Sequence, residues 1–117
     1  MSSPLLVAST DSARNLVMLT VEGSLSDAEH VESIRLVLPA VPAGHSFIVD
    51  LSETTALGQH AIAALRSVAG DASRLGVTMI IVCGDLARRS ELVLADLDTL
   101  VPVVEALGQA LPLTRAA

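Results

Sequence analysis

Apolar residues recur along this chain at a spacing that switches between two and about 3.6, and each switch marks an element. Residues 16–22, Leu-Val-Met-Leu-Thr-Val-Glu, are β-branched or large and apolar and stop at Gly23, which predicts a strand. Residues 5–9 predict a partner strand, joined to it through the polar stretch 10–15. With Pro4 in front and small residues inside, this is an edge strand at best. Ser26-Asp27-Ala28-Glu29 then carries a helix start, Ser26 as N-cap and Glu29 as its capping-box partner. Val31, Ile34, Leu38 and Val41 follow at helical spacing, with Glu29, Glu32 and Arg35 facing water, until Pro39 and Pro42-Ala43-Gly44 end the pattern.

Residues 46–51 form an apolar run too short for a buried helix, and so predict a central strand followed by a polar loop. From Gly58 the helical period returns, with Ile62, Leu65, Val68, Ala69, Ala72 and Leu75 on one stripe and Gly76 placed as a C-terminal cap. Residues 77–82 are continuously apolar, as a strand covered on both faces requires. A third helix is expected from Asp85 or Leu86 to Leu94 or Ala95. After it come a short strand at residues 100–103 and a helix at 104–111 stopped by Pro112. The order β-β-α-β-α-β-α-β-α predicts an α/β fold: one domain over residues 1–117, with a mostly parallel sheet of four to five strands and about four helices. Residues 1–15 supply its N-terminal strand and turn, and residues 112–117 a tail.

Composition narrows the function classes. Half of the 117 residues are apolar but one alone, Phe47, is aromatic, so aliphatic side chains must fill the core. The net charge of −6 and seven scattered arginines, with no lysine, argue against nucleic acid, where clustered cations neutralise phosphates. Cys83 is the one cysteine, which precludes an internal disulfide and suits a reducing cytoplasm. It reads as a small buried hydrophobe. No basic n-region opens the chain, and no run approaches the ~20 apolar residues of a membrane span, so a cytoplasmic protein without membrane insertion is expected.

Candidate chemistry is sparse. No Gly-x-Ser-x-Gly elbow, paired carboxylates or metal-ligand spacing appears, and His30, His45 and His60 stand far apart and read as solvated. Gly23, Gly58 and Gly84 each follow a strand but form no phosphate-binding glycine motif, and read as turn residues. An enzyme, a metal and a cofactor are all unsupported. Loops at the carboxyl ends of strands are nevertheless where open α/β sheets carry function, and a bare helix start at residues 58–61 could receive an anion. Arg88-Arg89 with Glu91 reads as a solvated helix face.

Four local sequences, taken in order, resemble the anti-sigma factor antagonist (STAS) family over about residues 16–111. Gly23-Ser24-Leu25-Ser26 stands where that family has Gly-Glu-Leu-Asp, and Asp50-Leu51-Ser52 matches the Asp-Leu-Ser closing its central strand. Arg74-Leu75-Gly76-Val77 is similar to its Lys-x-x-Gly-Gly turn, and Val104-Glu105-Ala106-Leu107 to its terminal Val-x-x-Ala-Leu. The resemblance implies a single STAS-like domain: a bacterial, non-enzymatic module for signal transduction and transcription regulation that binds an anti-sigma factor or related regulator.

The family's helix opens with an Asp-Ser-Ser/Ala-Gly box whose first serine is phosphorylated to switch binding off. By spacing from Asp50, that serine falls at Gln59 and its preceding aspartate at Gly58, while Ser26 replaces a loop carboxylate, with Asp27 next to it. Glutamine has no hydroxyl to accept a phosphoryl group, so Gln59 is not phosphorylatable. Thr54 matches a position usually apolar and is expected to face inward, which leaves Thr55 as the alternative phosphosite. The resemblance implies a partner surface of Ser24, Ser26, Asp27, Leu57, Gly58, Gln59, His60, Ala63 and Asp85, although Leu57 and Ile62 also read as core. The family equally includes accessory subunits of lipid-transport ABC systems, so an ABC ATPase subunit is an alternative partner. Pairing of the chain with itself stays open.

Overall fold

In a computed structural model the chain is described over residues 5–25 and 28–114. Ser26 and Asp27, and with them the expected cap of the first helix, lie outside the described residues, as do Pro4 and the side chains of Glu29, His30 and Val31.

Strands β1 (Leu5–Asp11) and β2 (Leu16–Leu25) form the expected antiparallel hairpin, in register from Leu5 opposite Glu22 to Asp11 opposite Leu16. A 3-10 turn at Ser12–Arg14 joins them, capped by the Asp11 carboxylate and closed at Asn15 in the left-handed region, φ 50°. β1 thus runs two residues beyond the expected Ser9, because Thr10 and Asp11 pair with Val17 and Leu16.

Two larger departures concern the sheet centre. β2 passes Gly23, the expected stop, and continues to Leu25, while β3 (Ser46–Leu57) runs six residues beyond Leu51 through the expected polar loop. The extensions hold each other: Glu22 pairs with Glu53, Gly23 with Thr54, Ser24 with Ala56 and Leu25 with Leu57. Gly23 adopts φ 94° beside a register shift, the left-handed conformation a glycine takes without a Cβ penalty.

β4 (Thr78–Val82) lies parallel to β3, and β5 (Val103–Val104) parallel to β4, giving the order β1-β2-β3-β4-β5. Among the described residues only the β1–β2 pair is antiparallel. β5 sits later and is shorter than residues 100–103. A 3-10 turn at Leu97–Thr99 carries the chain to Leu100, and Pro102 has no N–H to give the ladder, though its carbonyl accepts from Ile81.

Helices α1 (Ala28–Val37), α2 (Gln59–Leu75), α3 (Leu86–Leu94) and α4 (Leu107–Ala110) follow the expected order. α4 is half the expected length, since β5 claims Val104 and the Glu105 N–H is taken by the Gln109 side chain. Pro112 lies in a 3-10 turn that follows it.

The sheet is packed on both faces. Phe47, Val49, Leu51 and Ile81 meet Ile34 and Leu38 near α1 and the buried stripe Leu65, Val68 and Ala72 of α2. On the opposite face Ile48, Ile80 and Val82 are covered by the smaller group Ala110, Leu107 and Leu111. Two ends of the expected α2 stripe differ: Ile62 is half-buried against the core and Leu75 is exposed at the last turn.

Candidate functional site

The start of α2 is fastened to the end of β2. The Gly58 N–H donates to the Leu25 carbonyl (3.1 Å), and the Gly58 carbonyl accepts the first helical bond from Ile62 (3.1 Å). Gly58 is the N-cap in an extended conformation and has no side chain to offer the first turn. Together with the Leu25–Leu57 pairing, this brings the Ser24–Leu25 strand end and the Leu57–Ala63 turn into one patch. Gln59, His60 and Ala63 are exposed on it, Leu57 and Gly58 are half-buried, and Ala61 is buried beneath. Leu57 and Ile62 both pack against the core, so their apolar surface is largely spent there. Ser24 is exposed, and Ser26 and Asp27 fall outside the described residues.

The hydroxyls near Gln59 differ in access. Thr54 faces inward as expected, 5% exposed, and its Oγ1 donates to the Val21 carbonyl at 3.1 Å. Thr55 is exposed and falls between the Gly23–Thr54 and Ser24–Ala56 pairs, so it is the extra residue of a bulge and has no cross-strand partner. Ser52 is exposed beside an Asp50 carboxylate that accepts its N–H at 2.9 Å.

Asp85 is placed differently. Its Oδ1 caps α3, accepting from the N–H groups of Ala87 (2.8 Å) and Arg88 (3.2 Å) and from the Arg88 guanidinium (3.3 Å). The Arg88 N–H first, then its charge and the Ala87 N–H, hold the Asp85 carboxyl below its ordinary value, although partial desolvation opposes them. β4 ends level with Asp50 while β3 runs on to Leu57, so Asp85 leaves the sheet well before the level of Leu57. Cys83 is buried, and burial pushes its thiol up, with the Asp85 carbonyl 3.8 Å from Sγ partly opposing this. Raised in this way, the thiol is a poor nucleophile.

Arg88 and Arg89 correct the expectation of a solvated face. Their side chains are 25% and 24% exposed and reach Asp85 (3.3 Å) and Glu105 (2.8 Å). His45 is half-buried and His60 exposed, and among the described residues no three His, Cys, Asp or Glu side chains are grouped to hold a metal. None of the described helices is long and apolar enough to cross a membrane. A cleft of about 280 Å³ is lined by Met18, Leu107 and Leu111 with Asp11 and Arg14; it lies under the β1–β2 hairpin, at the opposite end of β2 from Gln59.

These features can be set beside solved proteins. Over 97% of this chain and 95% of the other, the structure superposes on an anti-sigma factor antagonist from Mycobacterium paratuberculosis with a TM-score of 0.80 at 21% identity. The chain has the fold of the anti-sigma factor antagonists. A Thermotoga maritima protein provisionally assigned as an anti-sigma factor antagonist gives a TM-score of 0.78 at 14% identity, over 94% of each chain. A DUF3478-family protein with a SpoIIAA-like fold from Shewanella loihica gives 0.63 at 15% identity, over 98% of this chain and 99% of the other. No family model matches the chain, and no curated protein is significantly similar to it. At such identities the antagonist fold is a likeness of architecture, and the role of each side chain rests on its own surroundings.

Proposed function

We propose that this chain is a non-enzymatic interaction module that binds an anti-sigma factor or a related regulator and lacks the serine-phosphate switch. The observation that carries the reading is Gln59: an exposed residue opens α2 where the fold fastens that helix to the end of β2, and it has no hydroxyl. The proposed docking surface is Ser24, Ser26, Asp27, Leu57, Gly58, Gln59, His60 and Ala63, with Asp85 as a peripheral member whose Oδ1 already serves α3.

Binding at this surface draws on shape and hydrogen bonding more than on apolar burial, because Leu57 and Ile62 are already committed to the core. The Gln59 amide both donates and accepts, so a partner can be held without any covalent change. Of the two threonines, Thr55 is the one open to a kinase, since Thr54 is buried, and Ser52 is exposed as well.

The test is co-purification from the native host, followed by affinity measurements with Gln59→Glu and Gln59→Ser. An anti-sigma factor that co-elutes and binds Gln59→Glu about tenfold or more weaker supports the reading. An ABC ATPase in its place, or affinities unmoved by either substitution, contradicts it.

A further inference from the structure

Helix α3 turns Arg88 and Leu92 away from its most exposed aliphatic side chains, and Arg89 lies beside them. Arg88 and Arg89 are tied to Asp85 and Glu105, and Leu92 is fully buried. Opposite Arg88 and Leu92, Leu86 is 68%, Val93 45% and Leu94 85% exposed, with the small, exposed Ser90 among them. At about 100° per residue these four positions share one face roughly a quarter-turn wide. Isolated exposed leucines need no explanation, but three exposed aliphatic side chains on one helix face, parted only by Ser90, do.

Among the described residues, the charges around the stripe that lack an ion-pair partner are mostly acidic, since Arg89, which flanks Val93, is neutralised by Glu105 and Arg66 is the one cation beside Ala95. Glu91 flanks it on the helix, and Asp96 and Asp98 follow at its carboxyl end, all exposed. Among the described residues none of these three is in an ion pair, because Arg88 and Arg89 are engaged elsewhere and Arg66 is bonded to the Ala95 carbonyl (2.6 Å). The face carries three aliphatic side chains, and among the described residues Glu91, Asp96 and Asp98 stand against the single unpaired guanidinium of Arg66, so acidic charge predominates along it.

We infer that the exposed face of α3 docks a cationic amphipathic segment of a partner, one that presents an aliphatic stripe flanked by Lys or Arg. Leu86, Val93 and Leu94 supply the apolar contact, and Glu91, Asp96 and Asp98 set its orientation and favour a basic partner over an acidic one. A second copy of the chain fits poorly, since it would set these carboxylates against their own kind in a molecule of net charge −6. This surface excludes Gln59, so it stands or fails separately from the docking surface proposed above.

The probe is a labelled Leu/Lys amphipathic helical peptide about 18 residues long. A scrambled isomer of the same composition and a Leu/Glu counterpart serve as controls. Binding to the full chain is measured by fluorescence anisotropy at about 0.15 M salt and mapped by amide chemical shifts. The expected result is binding of the Leu/Lys peptide alone, with shifts gathered on α3. The Val93→Ser/Leu94→Ser variant should bind about tenfold more weakly with an unchanged circular dichroism spectrum. Equal binding of the scrambled or acidic peptide, no binding, shifts away from α3, or an unchanged affinity of that variant would overturn the inference. So would a dimer, seen by sedimentation, that the variant dissolves.

Discussion

Thr54 and Gln59 lie five positions apart and are set to opposite tasks by burial. Thr54 spends its hydroxyl on the Val21 carbonyl inside the core, where removing a donor leaves an acceptor without water to replace it. Thr54→Val should therefore cost about 1–2 kcal/mol despite the near-equal volume, read from the midpoint of chemical denaturation. Gly76 supports the same kind of argument from the backbone. It ends α2 at φ 72°, and a Cβ there would meet nothing nearer than the Ala43 Cβ at 3.9 Å. Gly76→Ala should cost about 1–2 kcal/mol through the left-handed conformation alone, with no packing change. Both residues were legible in the sequence, Gly76 from its place after the last helical position and Thr54 from a family position that is usually apolar. The match of Gln59 to the family's serine is a count from Asp50, and the structure adds that this residue is exposed in the first turn of α2.

At the scale of elements, local pattern sufficed for α2, β4 and α3 but not for the ends of β2 and β3. Residues 52–55 read as a loop because the strand character of this segment comes from the pairing of Glu53, Thr54, Ala56 and Leu57 with Glu22 to Leu25, some thirty residues earlier. Long-range pairing has no signature within a short window. The orientation of α3 was missed for a related reason. Adjacent arginines default to water; Asp85 is a local i,i+3 partner of Arg88, and only the tertiary position of Glu105 supplies one for Arg89. The α3 cap has a pH signature whose sign is fixed. The folded-state Asp85 carboxyl lies below its usual 3.8, so its contribution is present above 3.8 and disappears as pH falls through the lowered folded value. Asp85→Asn should lower the melting temperature at neutral pH, and the gap to the parent chain should close in acid below 3.8. A gap independent of pH would mean that the charge plays no part in the cap.

For the whole molecule, the fold divides its labour between two faces and one end. The α1–α3 face holds the large core, the α4 face is thinly covered, and the carboxyl ends of β2 and β3 present the start of α2. Gln59 lies at that start, and the function proposed above is binding of a regulator there without a phosphate switch. The most direct test measures the affinity for a cognate switch kinase of the anti-sigma type before and after incubation with ATP, with mass spectrometry of the chain at both points. The expected result is the same affinity and no phosphate on the chain. Phosphate in the Ser52 to Thr55 segment, accompanied by loss of binding, would contradict it.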